Sequence, residues 1–401
     1  MKEERGPRIA ILIPFAAKGQ YWPPLLAELA RRFPATTVFS CMKSEVPLPY
    51  QGAYAHRFAG AARHVSVFPG PTGPGLSMTL LPLGIFGMLL RFRPQVIFTS
   101  GFSTWSVLSL VLGALRGSRV VILYDGSSPG VDLARRSFRI ALRRVMARRA
   151  DAFMTNSRAG ATYLARTLRA AGYKVFRRPY LVPSSEALSA FDERPVEGLR
   201  RPVFLFIGRV SYRKGFPALL EACAALARRG RRDFSLLVVG AGPERERWRE
   251  RADRLGLGAM VRWAGQVDYG RLGAWISSSD VLVFPSLTDV WGMAVLEAMA
   301  FARPVICSRR AGASEIVEEG HGGFLFDPHR PEELAAIMER FIAEPELARE
   351  LGARARQILT RLDPPAAAEA FEEVVRFVTS ENRFPGSSIR SHTRHRSCRS
   401  R

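Results

Sequence analysis

The chain has 401 residues, 47% of them apolar and 24% charged, which excludes wholesale disorder and allows two or three domain cores. Its 59 basic and 36 acidic residues give a formal net charge of +23, which points to an anionic partner: phosphate, nucleic acid or acidic lipid. Four cysteines (Cys41, Cys223, Cys307, Cys398) lie far apart with no CxxC pair, which argues against a zinc site or a disulfide scaffold and fits a reducing cytosol.

At the N-terminus, Ile9 to Ala17 is apolar and ends in Ala-Ala, as a secretory signal would. Glu3 and Glu4 oppose the positive start such a signal needs, and Pro14 breaks the run, so a buried first strand is expected. The longest apolar stretch, Leu76 to Leu90, is cut by Pro82, Gly84 and Gly87 and falls short of the roughly 18 residues a membrane-spanning helix requires. Strand-like runs follow in order: RIAILIPF (8–15), QVIFTS (95–100), RVVILY (119–124), AFMTN (152–156), VFLFIG (203–208), SLLVVG (235–240), VLVFPS (281–286) and PVICS (304–308). Several are apolar without alternation, the pattern of parallel strands covered by helices on both faces. Helical stretches such as Phe216 to Arg229, Pro243 to Leu255 and Met293 to Phe301 alternate with them, which predicts parallel sheets.

The alternation pauses at Val182 to Pro202, a stretch with three prolines and no clear period. It reads as a linker between two doubly wound halves, whose facing strand ends would frame a ligand cleft. The expected division is an N-terminal domain over 1–182, a linker over 183–201, a second domain over 202–363, a helix over 364–380 packing back on the first domain, and a disordered basic tail over 381–401. Val131 to Arg149 carries seven arginines and one acid, among them Arg135, Arg136, Arg139 and Arg143, which suggests an acidic membrane surface as partner. A solvated helix face in an arginine-rich protein is the alternative.

Four constellations carry chemistry. In GRVSYRKG (208–215), Gly208 allows a sharp turn at a strand end, and Arg209, Arg213 and Lys214 then sit beside a helix N-terminus, a combination suited to a diphosphate. In VGAGPERE (239–246), Gly240 and Gly242 permit close backbone approach, although such turns are common structural features. In FPSLTDVWGMAVLEAMAFARPVICS (284–308), Asp289 lies in a loop, Gly292 opens a helix, and Glu297 is about one turn inside it. Two carboxylates for hydroxyl groups and free amides at Gly292 and Met293 result. The plainer reading makes Asp289 a helix cap and Glu297 a solvated residue. In SRRAGASEIVEEGHGGFLFDP (308–328), Glu315 is either a cap or a ligand group.

In this order, these pieces resemble the C-terminal half of a retaining glycosyltransferase of family 4, with the GT-B fold: α/β, two Rossmann-like doubly wound parallel-sheet domains facing a central cleft. The resemblance covers about Val203 to Leu362 well, and the N-terminal half more loosely through RFRPQVIF, SRVVILYDG and RRADAFMTNS. It implies that Arg209 and Lys214 bind the donor diphosphate, that Glu297 holds the nucleotide ribose, and that Asp289 and the amides of Trp291, Gly292 and Met293 meet the donor sugar. The chain departs from the family in places. Asp289 stands where Glu is common, Arg303 where glycine usually precedes PVI, and Asp125 about where a histidine often follows the matching strand. The N-terminal glycine-rich loop is reduced to Gly19.

The implied activity is sugar transfer from a nucleotide diphosphate sugar to an acceptor hydroxyl with retention, in bacterial surface polysaccharide, lipopolysaccharide or glycolipid assembly. The enzyme would be cytoplasmic and peripheral at the inner membrane face. With no DxD motif in the chain, fixed cations would take the place of a metal, and no cofactor is expected beyond the donor substrate. The competing readings are a GT-B nucleotide-sugar epimerase, a glycosidase, and a non-enzymatic anion- or nucleic-acid-binding protein. The last is disfavoured because the basic tail lacks interleaved aromatics.

Overall fold

The computed structural model describes residues 6–15, 21–42, 50–70, 73–127, 137–191, 196–317 and 321–380. All eight strand-like runs are strands: β1 (Ile9–Leu12), β6 (Val96–Ser100), β7 (Arg119–Tyr124), β8 (Ala152–Thr155), β10 (Val203–Ile207), β11 (Ser235–Val239), β13 (Val281–Phe284) and β14 (Val305–Ser308). Their residues are almost all buried, as unbroken apolar runs between two helix layers must be. Further strands join them: β2 (Thr36–Ser40), β3 (Ala55–Phe58), β9 (Val175–Arg177), β12 (Val261–Gly265), β15 (Gly323–Phe326) and an antiparallel hairpin of β4 (Arg63–Gly70) and β5 (Gly73–Leu80). Most of these are sheet-edge strands or begin with polar residues, so they lack the apolar run that marks the inner strands.

Two parallel sheets result. The first has seven strands in the order β3-β2-β1-β6-β7-β8-β9, and the second six in the order β12-β11-β10-β13-β14-β15. In each, the chain starts in the middle, winds outward to one edge, and returns to wind toward the other. The loops leaving the carboxyl ends of the paired neighbours β1 and β6, and of β10 and β13, therefore turn to opposite faces of their sheets. In doubly wound sheets this is where ligands bind.

One apolar cluster runs through both lobes, from Ile9, Val96 and Val121 of the first sheet to Leu205, Leu282 and Val305 of the second. The segment between the sheets belongs to it. Leu181, Val182 and Leu188 are buried, and Ser184 caps the short helix Ser185–Leu188 by accepting from the Ala187 amide at 3.2 Å. The final helix, Pro364–Thr379, is capped by Asp363 and packs on the first lobe. Phe371 lies 4.8 Å from Phe98, ring to ring, while Arg32 pairs with Glu372 at 2.8 Å and Arg178 with Glu373 at 2.9 Å. Cys41, Cys223 and Cys307 are buried free thiols, whereas Cys398 and the basic tail lie outside the described residues. Among the described residues, no helix is long and apolar enough to cross a membrane.

The glycine-like position before β14 falls at Ala302, which has φ 54°, and not at Arg303. Arg303 instead donates from its guanidinium to the Ser277 carbonyl at 2.8 Å, bracing the preceding helix end. A non-glycine residue in the left-handed region costs about 1–2 kcal/mol, part of which is returned because alanine is less flexible than glycine in the unfolded chain. Ala302→Gly is therefore expected to stabilise the protein by about 0.5–1 kcal/mol, read as a rise of a few degrees in Tm. A lowered Tm would show that Ala302 is unstrained.

Candidate active site

The carboxyl ends of β1, β6 and β7 enclose a cavity of about 380 Å³, lined by Ile13, Pro14, Tyr21, Ser100, Ser103 and Asp125 among others. Asp125 directly follows β7. Its carboxylate accepts from the Tyr180 hydroxyl at 2.7 Å, and its carbonyl accepts from the Asn156 side-chain amide at 2.8 Å. The Asn156 carbonyl oxygen in turn accepts from the Tyr180 and Leu181 amides at 2.8 and 3.0 Å. A strand end of the first lobe is thus tied to the segment that leads into the second. Burial raises the Asp125 pKa, and the Tyr180 hydrogen bond partly offsets this.

In the second lobe Gly208, with φ 147°, follows β10, and Arg209 comes next, exposed and with no partner for its guanidinium among the described residues. The turn Ser211–Gly215 is fixed from two sides. Glu244 accepts from the Tyr212 amide at 3.1 Å and from the Trp248 indole at 3.1 Å, while Arg213 donates to the Thr288 carbonyl at 3.3 Å and accepts from the Leu287 amide at 3.0 Å. Lys214 is thereby aimed at Asp289, with 2.5 Å between Nζ and Oδ2, and its ammonium lies 5.3 Å from the Phe284 ring centre. Gly215, with φ 72°, closes the turn so tightly that a β-carbon there would stand 1.7 Å from the Pro285 carbonyl oxygen. Gly240 and Gly242 serve the same close packing. A β-carbon on either would strike the Gly208 or Val210 carbonyl oxygen, at 1.9 and 2.3 Å.

The loop after β13 joins the lobes. The Val290 carbonyl sits between Gly126 of the first lobe and Gly312 of the second, where β-carbons would lie 2.2 and 2.3 Å from it. The Trp291 side chain is buried and donates to the Leu181 carbonyl at 2.8 Å. Gly292, with φ 111°, opens the helix Met293–Ala300 without a side-chain cap. Asp289 is therefore not that helix's cap, and the amides of Trp291, Gly292 and Met293 have no acceptor among the described residues. Glu297 is 5% exposed. Burial pushes its carboxyl up to about 7, while the facing Tyr269 hydroxyl pulls it down. Burial raises the Tyr21 pKa, and the charges of Asp125 in the first lobe and Glu297 in the second add to the rise.

Glu315 resolves as a cap, but of a helix in the other lobe. Its carboxylate accepts from the Arg158 amide at 2.8 Å and the Ala159 amide at 3.3 Å, at the start of the helix Arg158–Thr162. The structure thus brings Lys214 to Asp289 and leaves Arg209 unengaged. Gly19, Arg135 and Arg136 lie outside the described residues. Arg143 is turned inward, donating to the Tyr163 hydroxyl at 2.8 Å and lying 5.2 Å from the centre of the Phe102 ring, while Arg139 is half-buried. The sequence reading missed Tyr21, Tyr180 and Glu244 as site residues. It quoted Asn156 only within a strand, although an asparagine at the end of a buried strand is a signal in itself.

The sequence matches the family of glycosyl transferases group 1 over residues 190–358 and the glycosyl transferase 4-like domain over residues 19–180. It is 33% identical over 147 residues to the alpha-D-kanosaminyltransferase of Streptomyces kanamyceticus, 37% of this chain and 38% of that protein. It is 32% identical over 158 residues to the lipopolysaccharide core biosynthesis glycosyltransferase LpsE of Rhizobium meliloti, 39% of this chain and 44% of that protein. The chain thus spans about two fifths of the length of these curated relatives. Among solved structures, Anabaena HepE in complex with UDP superposes with a TM-score of 0.69 at 17% identity, over 92% of this chain and 99% of that one. At that identity the likeness is one of fold.

The raised Glu297 pKa has a defined effect on stability. Below the ordinary carboxylate value of 4.5 the group is protonated in both states; between there and about 7 the unfolded chain ionises first, so stability falls as pH rises. Above about 7 the loss is complete, on the order of 3 kcal/mol. Glu297→Gln is expected to raise Tm at pH 8 and to lose that advantage below pH 5. A Tm difference independent of pH would refute the shift.

Proposed function

Because this chain belongs to the glycosyl transferases group 1 family and has the two-lobed GT-B fold, we propose that it moves a sugar from a nucleoside diphosphate donor to an acceptor hydroxyl with retention of anomeric configuration. The observation that carries this reading is the grouping at the carboxyl ends of β10 and β13: Lys214 held against Asp289, amides at Trp291, Gly292 and Met293 that have no acceptor among the described residues, and the buried carboxyl of Glu297. The second lobe, 202–363, is the donor side, the first lobe, 1–182, the acceptor side, and 183–201 the connection between them.

The residues then take these roles. Arg209 and Lys214 bind the diphosphate, with Gly208, Arg213, Gly240 and Gly242 shaping the turns around it. Glu297 accepts hydrogen bonds from the ribose hydroxyls, which restore the hydrogen bonding its burial removes. Asp289 and the loop amides meet the sugar. As the glycosidic bond breaks, negative charge grows on the leaving diphosphate, and fixed cations stabilise it without a metal. The acceptor enters beside Asp125, and the leaving phosphate takes the acceptor proton on the face it vacates. Surface polysaccharide, lipopolysaccharide or glycolipid assembly is the setting we favour, with the enzyme in the cytoplasm at the inner membrane face. Of the arginine-rich stretch, Arg143 faces inward and Arg139 is half-buried, so the membrane-facing part of this reading rests on the exposed Arg148 and Arg149.

A thermal-shift screen of nucleoside diphosphates identifies the donor base, since a ligand bound only by the native state raises its stability. With the donor in hand, NMR of the product is expected to show the donor's anomeric configuration, and inversion would refute the mechanism. Arg209→Ala is expected to lower kcat about 10²–10³-fold with donor KM changed little, because the charge it meets grows in the transition state. An unchanged kcat would remove Arg209 from the diphosphate site.

A further inference from the structure

Two neighbouring helices of the first lobe, Thr104–Arg116 and Ser137–Arg149, expose apolar side chains that a water-facing surface would not select. On the first helix Val107, Val111 and Leu115 recur every four residues and are 37, 45 and 66% exposed. On the second, Phe138, Leu142 and Val145 are 79, 46 and 53% exposed. This spacing lines up one face of each helix. Between the helices lies a groove of about 540 Å³, which Val107, Val111, Leu115, Leu142 and Val145 help to line. Contiguous exposed apolar surface of this kind marks an interaction site.

The rim identifies the occupant. Arg116, Arg148 and Arg149 are exposed at the helix ends and pair with no acid among the described residues. Neither helix, TWSVLSLVLGALR or SFRIALRRVMARR, contains an aspartate or glutamate. The border also holds Asp151, which Arg119 pairs at 3.5 Å, so its net charge is cationic; an apolar floor with such a border complements an anionic lipid leaflet, whose acyl region meets the floor and whose headgroups meet the arginines. A second copy of this chain is the poorer fit, because a two-fold contact would set these arginines against one another.

We propose that this groove docks the protein on an anionic lipid surface. This deepens the membrane part of the reading above and moves the contact from the arginines alone to the apolar floor between the helices. The groove starts close to the site: Ser103, which caps the first helix, also lines the cavity that contains Asp125. From there the helix leads to the arginine rim at Arg116, about 20 Å away along its axis.

The test is co-sedimentation with vesicles of phosphatidylcholine, alone and with one third phosphatidylglycerol, at low and moderate salt. The wild type is expected to bind the anionic vesicles at least about tenfold more strongly than the neutral ones. Val111→Glu with Leu142→Glu is expected to abolish binding, and Arg148→Gln with Arg149→Gln to remove the preference for anionic lipid. All four positions are exposed, and an unchanged Tm and unchanged nucleoside diphosphate affinity confirm that the variants are folded. Absence of vesicle binding by the wild type overturns the proposal, as does binding indifferent to the glutamate substitutions. A dimer in sedimentation velocity that Val111→Glu dissociates overturns it in favour of a second copy. Sugar transfer to a soluble acceptor is expected to survive the groove substitutions, so the docking surface and the catalytic reading fail separately.

Discussion

The candidate site depends on where one carbonyl group sits. The Val290 oxygen occupies a notch between Gly126 and Gly312 that would close if either residue carried a side chain. Asp289 precedes it and holds Lys214; Trp291 follows it and is tied to Leu181; Gly292 then opens the helix that carries Glu297. Four consecutive residues therefore connect the donor-side cation, the segment between the lobes and a buried carboxyl. Because Gly126 belongs to the first lobe and adjoins Asp125, the position of the loop also sets how the two halves of the cleft meet. Glu315 adds a second tie by capping a first-lobe helix.

The polar groups in the cleft are costly in the unliganded protein. Burial raises the Glu297 pKa to about 7, Asp125 and Tyr21 are shifted upward as well, and three consecutive amides lack acceptors among the described residues. Unmet hydrogen-bonding capacity gathered at the carboxyl ends of the central strands is what a site for a hydroxyl-rich, doubly charged ligand requires, since each ligand hydroxyl or phosphate oxygen then supplies a partner that burial took away. Lys214 differs in being matched already by Asp289, so a bound diphosphate would share that cation with the carboxylate.

Much of the fold can be read from the sequence because inner parallel strands must be apolar on both faces, which β10, β11 and β13 show clearly. The edge strands β3 and β12 escape such a reading because their faces are not both buried. The second-lobe site is legible because its groups fall in short contiguous pieces, where Lys214 follows a glycine turn and Glu297 follows Gly292 by five residues. Tyr21 and Tyr180 are not legible, since each gains its role only when distant strand ends meet, whereas Asn156 is marked by its place at the end of a buried strand. Glu315 illustrates the same limit: its neighbours suggest a local cap, yet it caps a helix of the opposite lobe. At Ala302 the backbone angle, and no pattern of residues, locates the strained position.

The most direct test of this account is a single methyl group in the notch. Gly126→Ala would place a β-carbon 2.2 Å from the Val290 oxygen and force the loop to move, although Gly126 lies in the lobe opposite the donor groups. Isothermal titration of the folded variant with the nucleoside diphosphate that the wild type binds is expected to show an affinity at least about tenfold lower, a loss of roughly 1.4 kcal/mol. An affinity equal to that of the wild type would contradict the claim that the position of this loop organises the site.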